Sequence, residues 1–134
     1  LKNYARPLDD LTARVISLTE RFHLEDSVLL SSFNPINLSK AAKINPRIQR
    51  GLLVSPGDRR MLGGMGRLFP YHALHPYYKD VTREMTARLH ARGKQLNTWT
   101  VDEPQALLRM RSFGVDGIIC NNPAAARAVL EGRP

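Results

Sequence analysis

Apolar residues along the chain alternate between helical spacing and short continuous runs. Leu8, Leu11, Val15, Leu18 and Phe22 recur every three or four residues, which predicts one apolar stripe on a first helix. Short apolar runs bounded by turn residues predict buried strands instead. These runs lie at residues 27–33, 47–54, 71–74, 95–101 and 117–120. The predicted order is therefore α-β-α-β-loop-β-α-β-α-β-α.

Capping residues predict where the later helices begin. Asn37 is placed to cap a helix over residues 38–44, and Asp80 to cap the helix that carries Val81, Met85 and Leu89. Asp102, followed by Gln105, resembles a capping box. Asn122 before Pro123 predicts the start of the last helix. Residues 61–67 are rich in glycine and are expected to form a loop with at most one helical turn.

This alternation of strands and helices predicts an α/β fold with a parallel sheet. Five strands fit an open doubly wound sheet or part of a (β/α)8 barrel, and periodicity does not choose between them. A complete barrel needs eight strands and typically about 250 residues. The chain has 134 residues, which is one domain by length.

Composition narrows the class of protein. Hydrophobic residues make up 43% and charged residues 24% of the chain, which is typical of a globular domain. The single cysteine, Cys120, excludes a disulfide framework and a multi-cysteine zinc site. It also favours a cytoplasmic location, weakly. No apolar run is long enough to span a bilayer.

Positive charge is concentrated in one stretch. The net charge is +8, and residues 40–67 hold seven Lys and Arg against Asp58, a net +6. Two of these cations, Arg59 and Arg60, fall after the second predicted strand, where parallel α/β folds place their functional loops. They predict a phosphate-bearing substrate, or equally a solvated basic surface. Nucleic acid is not expected, since the stretch lacks interleaved aromatic residues.

Three further residues end predicted strands and carry chemistry. Phe33 follows the first strand, His75 the third, and Trp99 lies near the end of the fourth. Each also has a structural interpretation: Phe33 and Trp99 as core aromatics, and His75 as a turn residue before Pro76. Asp102 is more simply a helix cap than a catalytic acid.

Five segments in order resemble the C-terminal part of the glycerophosphodiester phosphodiesterase family. They are residues 28–35 (VLLSSFNP), 51–54 (GLLV), 74–76 (LHP), 93–101 (GKQLNTWTV) and 114–123 (GVDGIICNNP). No single segment is specific, but their order and spacing are. The one departure is Cys120-Asn121, where the family has Thr-Asp.

The resemblance implies a partial TIM barrel, strands four to eight of a (β/α)8 fold, with residues 1–134 as the C-terminal portion of the domain. It implies metal-dependent hydrolysis of glycerophosphodiesters to glycerol 3-phosphate and an alcohol, with Ca²⁺ or Mg²⁺. The family's metal carboxylates and acid–base histidines would precede Leu1, which looks like an internal start. The chain is then expected to hold no catalytic residue and no metal ligand, and to be inactive alone.

The chain's own contribution would be the substrate-side walls of the site. By resemblance these are Lys2, Phe33, His75 and Trp99, with Arg59 and Arg60 added from their position. Trp99 would form an apolar face near the glycerol or alcohol group. The alternative is a non-catalytic half-barrel that pairs with another chain or self-associates through open barrel edges. A basic nucleic-acid-binding domain ranks last.

Overall fold

The computed structural model of the chain describes Leu1 and residues 10–132. Within it the chain divides into two compact units. The first unit comprises Leu1–Val54 and Asp58–Ala73, and the second comprises Ser55–Gly57 and Leu74–Pro134.

The first unit alternates helices with two parallel strands. Its elements are α1 (Leu11–Arg21), β1 (Leu29–Ser32), α2 (Pro35–Ile44), β2 (Gln49–Leu53), α3 (Arg59–Gly63) and a 3-10 turn (Met65–Leu68). Strands β1 and β2 pair in parallel, from Leu29 opposite Gln49 to Ser32 opposite Leu52. The helical segment after β2 corrects the expected loop at residues 61–67.

The second unit continues the same alternation. Its elements are β3 (Ala73–His75, whose first residue belongs to the first unit), a 3-10 turn (Tyr78–Asp80), α4 (Arg83–His90), β4 (Gln95–Thr98), α5 (Pro104–Ser112), β5 (Gly117–Ile118) and α6 (Pro123–Glu131). Asn97 pairs with Gly117, and Thr98 with Ile118, in parallel. The strand order is β1-β2-β3-β4-β5. The predicted five-stranded α/β architecture is confirmed, with strands shorter than predicted.

The buried face of α1 differs from the predicted stripe. Thr12, Ile16 and Thr19 are the buried residues of this helix, whereas Leu18 is 54% and Phe22 is 60% exposed. Leu8 lies outside the described residues. The threonines are tolerated because their hydroxyls are satisfied: Thr19 Oγ1 donates to the Val15 carbonyl at 2.9 Å. Ile16 packs with Leu30, Ala41 and Ile48, and Val15 of the predicted stripe packs against this cluster, but the C-terminal residues of the stripe are exposed.

Three predicted caps are replaced by their neighbours. Asn34 caps α2 through Ile36 N, Thr82 caps α4 through Met85 N, and Glu103 occupies the cap position of α5 without a side-chain hydrogen bond. The predicted caps hold tertiary contacts instead. Asn37 is fully buried and donates to Ser32 Oγ at 3.0 Å, while Asp80 accepts from Gly57 N at 2.8 Å. The Asn122 cap of α6 is confirmed, through Ala125 N at 3.0 Å.

Arg50 is one of the cations in the basic stretch, but it is buried, with 6% of its surface exposed. Its guanidinium donates to the carbonyls of Pro46, Ile48 and Pro70 at 2.7–3.1 Å. Burial lowers the pKa of Arg50 below its ordinary value. Because backbone carbonyls occupy its donors, Arg50 serves the packing of the first unit rather than a ligand.

No helix in the part of the chain that the structure describes is long and apolar enough to cross a membrane.

The two sides of α1 give opposite stability predictions. We expect Ile16→Ala to lower the free energy of unfolding by about 2–5 kcal/mol, since Ile16 is fully buried and leaves a cavity. Leu18→Ala in the same helix should cost less than about 1 kcal/mol, because Leu18 is largely exposed. Urea unfolding of the whole protein measures both. If Leu18→Ala lowers the free energy of unfolding more than Ile16→Ala does, the predicted apolar stripe, and not the observed face, is the buried side of α1.

Candidate functional site

Side chains alternate between the two faces of β4 and its continuation. Leu96 and Thr98 are fully buried on one face, while Asn97 and Trp99 are partly exposed on the other. Trp99 lies just past the end of β4, in a parallel bridge with Tyr77. The chain's only tryptophan therefore lies at the carboxyl end of a strand, where parallel α/β folds place their chemistry.

Hydrogen bonds fix His75 and Trp99 together. Trp99 Nε1 donates to the His75 carbonyl at 2.8 Å. The His75 ring is buried, with 3% of the residue exposed, and its Nε2 lies 3.1 Å from Asn97 Nδ2. Since an amide nitrogen only donates, Nε2 accepts and the ring proton lies on Nδ1. The indole and the imidazole are thus held at fixed positions relative to β4.

This arrangement depends on the absence of a side chain at Gly117. A Cβ built on Gly117 would lie 2.5 Å from Asn97 Oδ1 and 2.9 Å from Asn97 Cγ. The Asn97 amide therefore occupies the space above its paired residue on β5. Any larger residue at position 117 would displace the amide that contacts His75.

Aromatic rings extend the surface beside Trp99. The Tyr77 ring lies 5.7 Å from the Trp99 ring between centroids, tilted by 54°, and packs edge-on against Tyr78 at 4.9 Å. Tyr78 N donates to the Trp99 carbonyl at 3.0 Å. Tyr77 and Trp99 are both partly exposed. Together they form an apolar face that a non-polar part of a ligand can contact.

The loops after β4 and β5 are joined by Asp102. Its carboxylate accepts from Asn121 N and from Asn121 Nδ2, both at 2.7 Å. The sequence predicted that Asp102 would cap α5; it does not, because Asn121 occupies its carboxylate. This contact also shows that Asn121 can hold this turn through its amide and main chain, beside the free thiol of Cys120.

Burial sets the charge of His75. Desolvation lowers the pKa of its imidazole from 6.5 to about 4, so the ring is neutral near pH 7. A neutral ring with Nδ1–H can donate one hydrogen bond without adding charge. In this environment His75 is suited to binding and orienting a group rather than to carrying a proton.

The other predicted site residues belong to the first unit. Phe33 directly follows β1 and is partly buried, and Asn34 after it begins α2. Arg59 and Arg60 are the first two residues of α3 and are exposed. Lys2 lies outside the described residues. The structure thus brings His75 and Trp99 into direct contact, while Phe33, Arg59 and Arg60 stay predictions as ligand-binding residues.

Sequence reasoning missed Asn97, Tyr77 and Gly117. Asn97 carried a signal, because asparagine is unfavourable in a strand interior and implies a specific role there. Gly117, at the start of a strand, is a similar signal of close backbone approach. Tyr77 carried none that separates it from other surface tyrosines.

A divalent cation was expected from the family resemblance. Among residues 10–132 no group of three or more His, Cys, Asp or Glu side chains lies close enough to hold a metal ion. The described residues therefore do not fit such an ion.

The neutral His75 ring makes stability depend on pH. In the folded protein it takes up a proton only near pH 4, whereas in the unfolded chain it does so near 6.5. The unfolded state therefore binds more protons between these values, and His75 should remove about 3 kcal/mol of stability as the pH falls through them. Unfolding measured across pH 4–7 should show a shallower slope for His75→Gln than for the parent protein. An unchanged slope in His75→Gln, or an equal change in the exposed His23→Asn control, would contradict this assignment.

Comparisons with known proteins identify the family and the fold. The model of the glycerophosphoryl diester phosphodiesterase family matches residues 3–125. A glycerophosphodiester phosphodiesterase from Caldanaerobacter subterraneus is 33% identical over 82% of the chain and 45% of its own length. A solved protein from Silicibacter pomeroyi, assigned to the same family, is 27% identical with a TM-score of 0.83, over 96% of this chain and 45% of that one.

A third similarity concerns the fold. An Oleispira antarctica phosphodiesterase, solved with its product sn-glycerol-3-phosphate, gives a TM-score of 0.75 at 20% identity, over 90% of this chain and 49% of that one. The chain thus spans about half the length of the relatives it matches. The match over residues 3–125 establishes that this chain belongs to the glycerophosphoryl diester phosphodiesterase family.

Proposed function

We propose that the whole protein hydrolyses glycerophosphodiesters to glycerol 3-phosphate and an alcohol, and that this chain supplies the substrate-side walls of the site. The observation that carries the proposal is the Trp99–His75–Asn97 arrangement, fixed at strand ends in a chain of this family. The product bound to the Oleispira relative supports the same substrate class.

Trp99 and His75 divide the binding between them. The partly exposed indole of Trp99, with Tyr77 beside it, packs against the carbon skeleton of the glycerol or alcohol group. His75 stays neutral and holds Trp99 through its carbonyl and Asn97 through its ring. It does not act as the general base, because a pKa of about 4 leaves it a weak proton acceptor at neutral pH.

The first unit contributes Phe33 and Lys2 in this proposal. Leu1 runs beside the end of β1, since its amine donates to the Ser31 carbonyl and its carbonyl accepts from Ser32 Oγ at 3.2 Å. Lys2 follows Leu1 directly and Phe33 follows Ser32. The family resemblance supports Lys2 as a lysine near the substrate phosphate, with Phe33 as an apolar wall residue.

Arg59 and Arg60 are proposed to attract the anionic substrate. Both are exposed on the first turn of α3, after the carboxyl end of β2. Exposed arginines act mainly through long-range attraction, which salt screens. Their contribution should therefore appear in the association of substrate and disappear at high ionic strength.

We assign the Ca²⁺ or Mg²⁺ ion and the acid–base groups to residues of the whole domain beyond those described. The described residues offer no fitting ligand set, and the relatives have about as much sequence again as this chain spans. The 134-residue chain alone is then expected to be inactive. A cytoplasmic location, with no nucleic acid as partner, remains the accompanying prediction.

Release of glycerol 3-phosphate tests the proposal. The whole protein, supplied with Mg²⁺ or Ca²⁺, should release it from glycerophosphocholine or glycerophosphoglycerol, and a chelator should abolish the release. The isolated chain serves as the matched sample and should show no turnover. A folded, metal-supplied whole protein that releases no glycerol 3-phosphate would refute the assignment.

The role of Trp99 is tested by two substitutions in the whole protein. Trp99→Ala removes the apolar face and should lower kcat/KM about tenfold, the effect of roughly 1.4 kcal/mol of lost transition-state binding. Trp99→Phe keeps a ring but lacks the donor to the His75 carbonyl, so it should retain more activity. Steady-state kinetics at matched folding, checked by circular dichroism, measure both. If Trp99→Ala keeps the kcat/KM of the parent protein, Trp99 does not contact the substrate.

A second candidate function is the non-catalytic half-barrel that pairs with another chain. It is favoured by a groove of ≈ 500 Å³ along β5 and α6, lined in part by Val115, Ile118, Ala126 and Leu130. This groove beside the last strand of the sheet is also lined by Arg111, Asp116, Arg127 and Glu131, so it offers both apolar and charged contacts for pairing. Analytical ultracentrifugation discriminates: concentration-dependent association through this face supports pairing, and a stable monomer of the 134-residue chain opposes it.

A further inference from the structure

The segment Arg59–Leu68 combines exposed apolar and exposed basic side chains. Leu68 is 79% exposed, the largest exposure among the large apolar residues described, and Met65 is 46% exposed. Arg59, Arg60 and Arg67 are exposed in the same short stretch. Burying Leu68 against an apolar environment would be favourable, so its exposure calls for a partner.

Two glycines hold this segment in its displayed form. Gly64 has φ of +148°, a backbone conformation that side chains with a Cβ rarely adopt. Gly66 is buried, and a Cβ on it would lie 2.9 Å from the Met61 carbonyl oxygen and 3.1 Å from Leu52 Cδ2. The 3-10 turn is thus packed closely onto α3 and β2 through its glycine. Met65 and Leu68, on either side, stay outside that packing.

Positive charge in the segment is not neutralised locally. Asp58 is the only acidic residue between Asp26 and Asp80, and its carboxylate caps α3 by accepting from Met61 N at 3.1 Å. Within residues 10–132, the ion pairs do not include Arg59, Arg60 or Arg67. The segment therefore presents three arginines beside a protruding leucine.

The exposed apolar residues of α1 lie among mixed charges. Leu18 and Phe22 of α1 are also exposed, but Arg14 nearby is paired with Asp10 at 2.7 Å, and Glu20 lies in the same helix. Mixed charge gives that surface no preference for an anionic partner. The Arg59–Leu68 segment joins the most exposed of the large apolar side chains described to three exposed arginines.

We propose that the Arg59–Leu68 segment docks on an anionic phospholipid surface. Leu68 and Met65 would enter the boundary between headgroups and acyl chains, while the arginines bind lipid phosphates. This is the arrangement by which peripheral proteins use apolar burial and electrostatic attraction together. Arginine suits phosphate because its guanidinium binds two oxygens at once. The docking shares Arg59 and Arg60 with the proposed attraction of substrate, whereas Met65, Arg67 and Leu68 belong to the docking alone.

Vesicle co-sedimentation of the whole protein tests the docking. Binding to phosphatidylcholine vesicles containing phosphatidylglycerol should be strong at low salt, should fall as salt rises, and should be weak on phosphatidylcholine alone. Arg67→Gln should weaken binding about fivefold, the effect of one arginine near an anionic surface. Leu68→Ser should weaken it as well, and folding should survive because Leu68 is largely exposed.

Matched controls lie in the second unit. Arg88→Gln removes an exposed arginine from α4, and Leu108→Ser removes an apolar residue that is 40% exposed on α5. Both should leave vesicle binding unchanged.

Each contrary outcome has a definite meaning. Equal binding to both vesicle types, or equal loss in the control variants, would overturn the proposal. A Leu68→Ser protein that changes only its self-association would also overturn it and identify a second copy as the partner. Hydrolysis of soluble glycerophosphodiester by Leu68→Ser should equal that of the parent protein, so failure of the docking and failure of the phosphodiesterase assignment are separable.

Discussion

The close approach of β4 and β5 at Gly117 is the constraint on which the candidate site depends. Because position 117 has no Cβ, the Asn97 amide occupies that space and reaches the His75 ring. The His75 carbonyl in turn receives Trp99 Nε1, which sets the plane of the indole. The position of Trp99 thus depends, through His75 and Asn97, on the missing side chain at Gly117 of the neighbouring strand β5. A ligand contact built in this way loses little side-chain freedom on binding.

The contacts among Gly117, Asn97, His75 and Trp99 also limit the chemistry that the second unit can perform. The ring of His75 is neutral, Asp102 is engaged by two donors from Asn121, and the surrounding exposed surface is aromatic. Such a surface binds and orients, and it leaves charge stabilisation at a phosphodiester to other groups. The division fits a domain of this family in which the chain at hand spans about half of the relatives' length. Under the proposed function, substrate contacts and reacting groups come from different parts of one domain.

Local signals predicted the fold well, and tertiary competition explains what they missed. All five strands and the Asn122 cap follow from short patterns that need no distant partner. Asn37, Asp80 and Asp102 each lie near a helix start, as predicted. Their side chains form hydrogen bonds outside the cap, with Ser32, Gly57 and Asn121 respectively. The α1 stripe is only partly correct, since Val15 packs against the core but hydrogen-bonded Thr12 and Thr19 are buried while Leu18 is exposed. Hydrophobic periodicity shows which face of a helix could be buried, but the elements packed against the helix determine which residues are buried.

The same reasoning separates two kinds of exposed apolar residue. Leu18 and Phe22 extend a helix whose other face already packs Ile16, so their exposure follows from which side of α1 is covered. Leu68 is different, because the glycines at 64 and 66 specify the turn that displays it, and Gly66 admits no side chain. Two glycines are required for this turn to present a leucine beside arginines that form no ion pair among residues 10–132, so the surface of the segment, rather than its core, specifies it. Physical constraint on an exposed position is therefore the better guide to a function there than exposure alone.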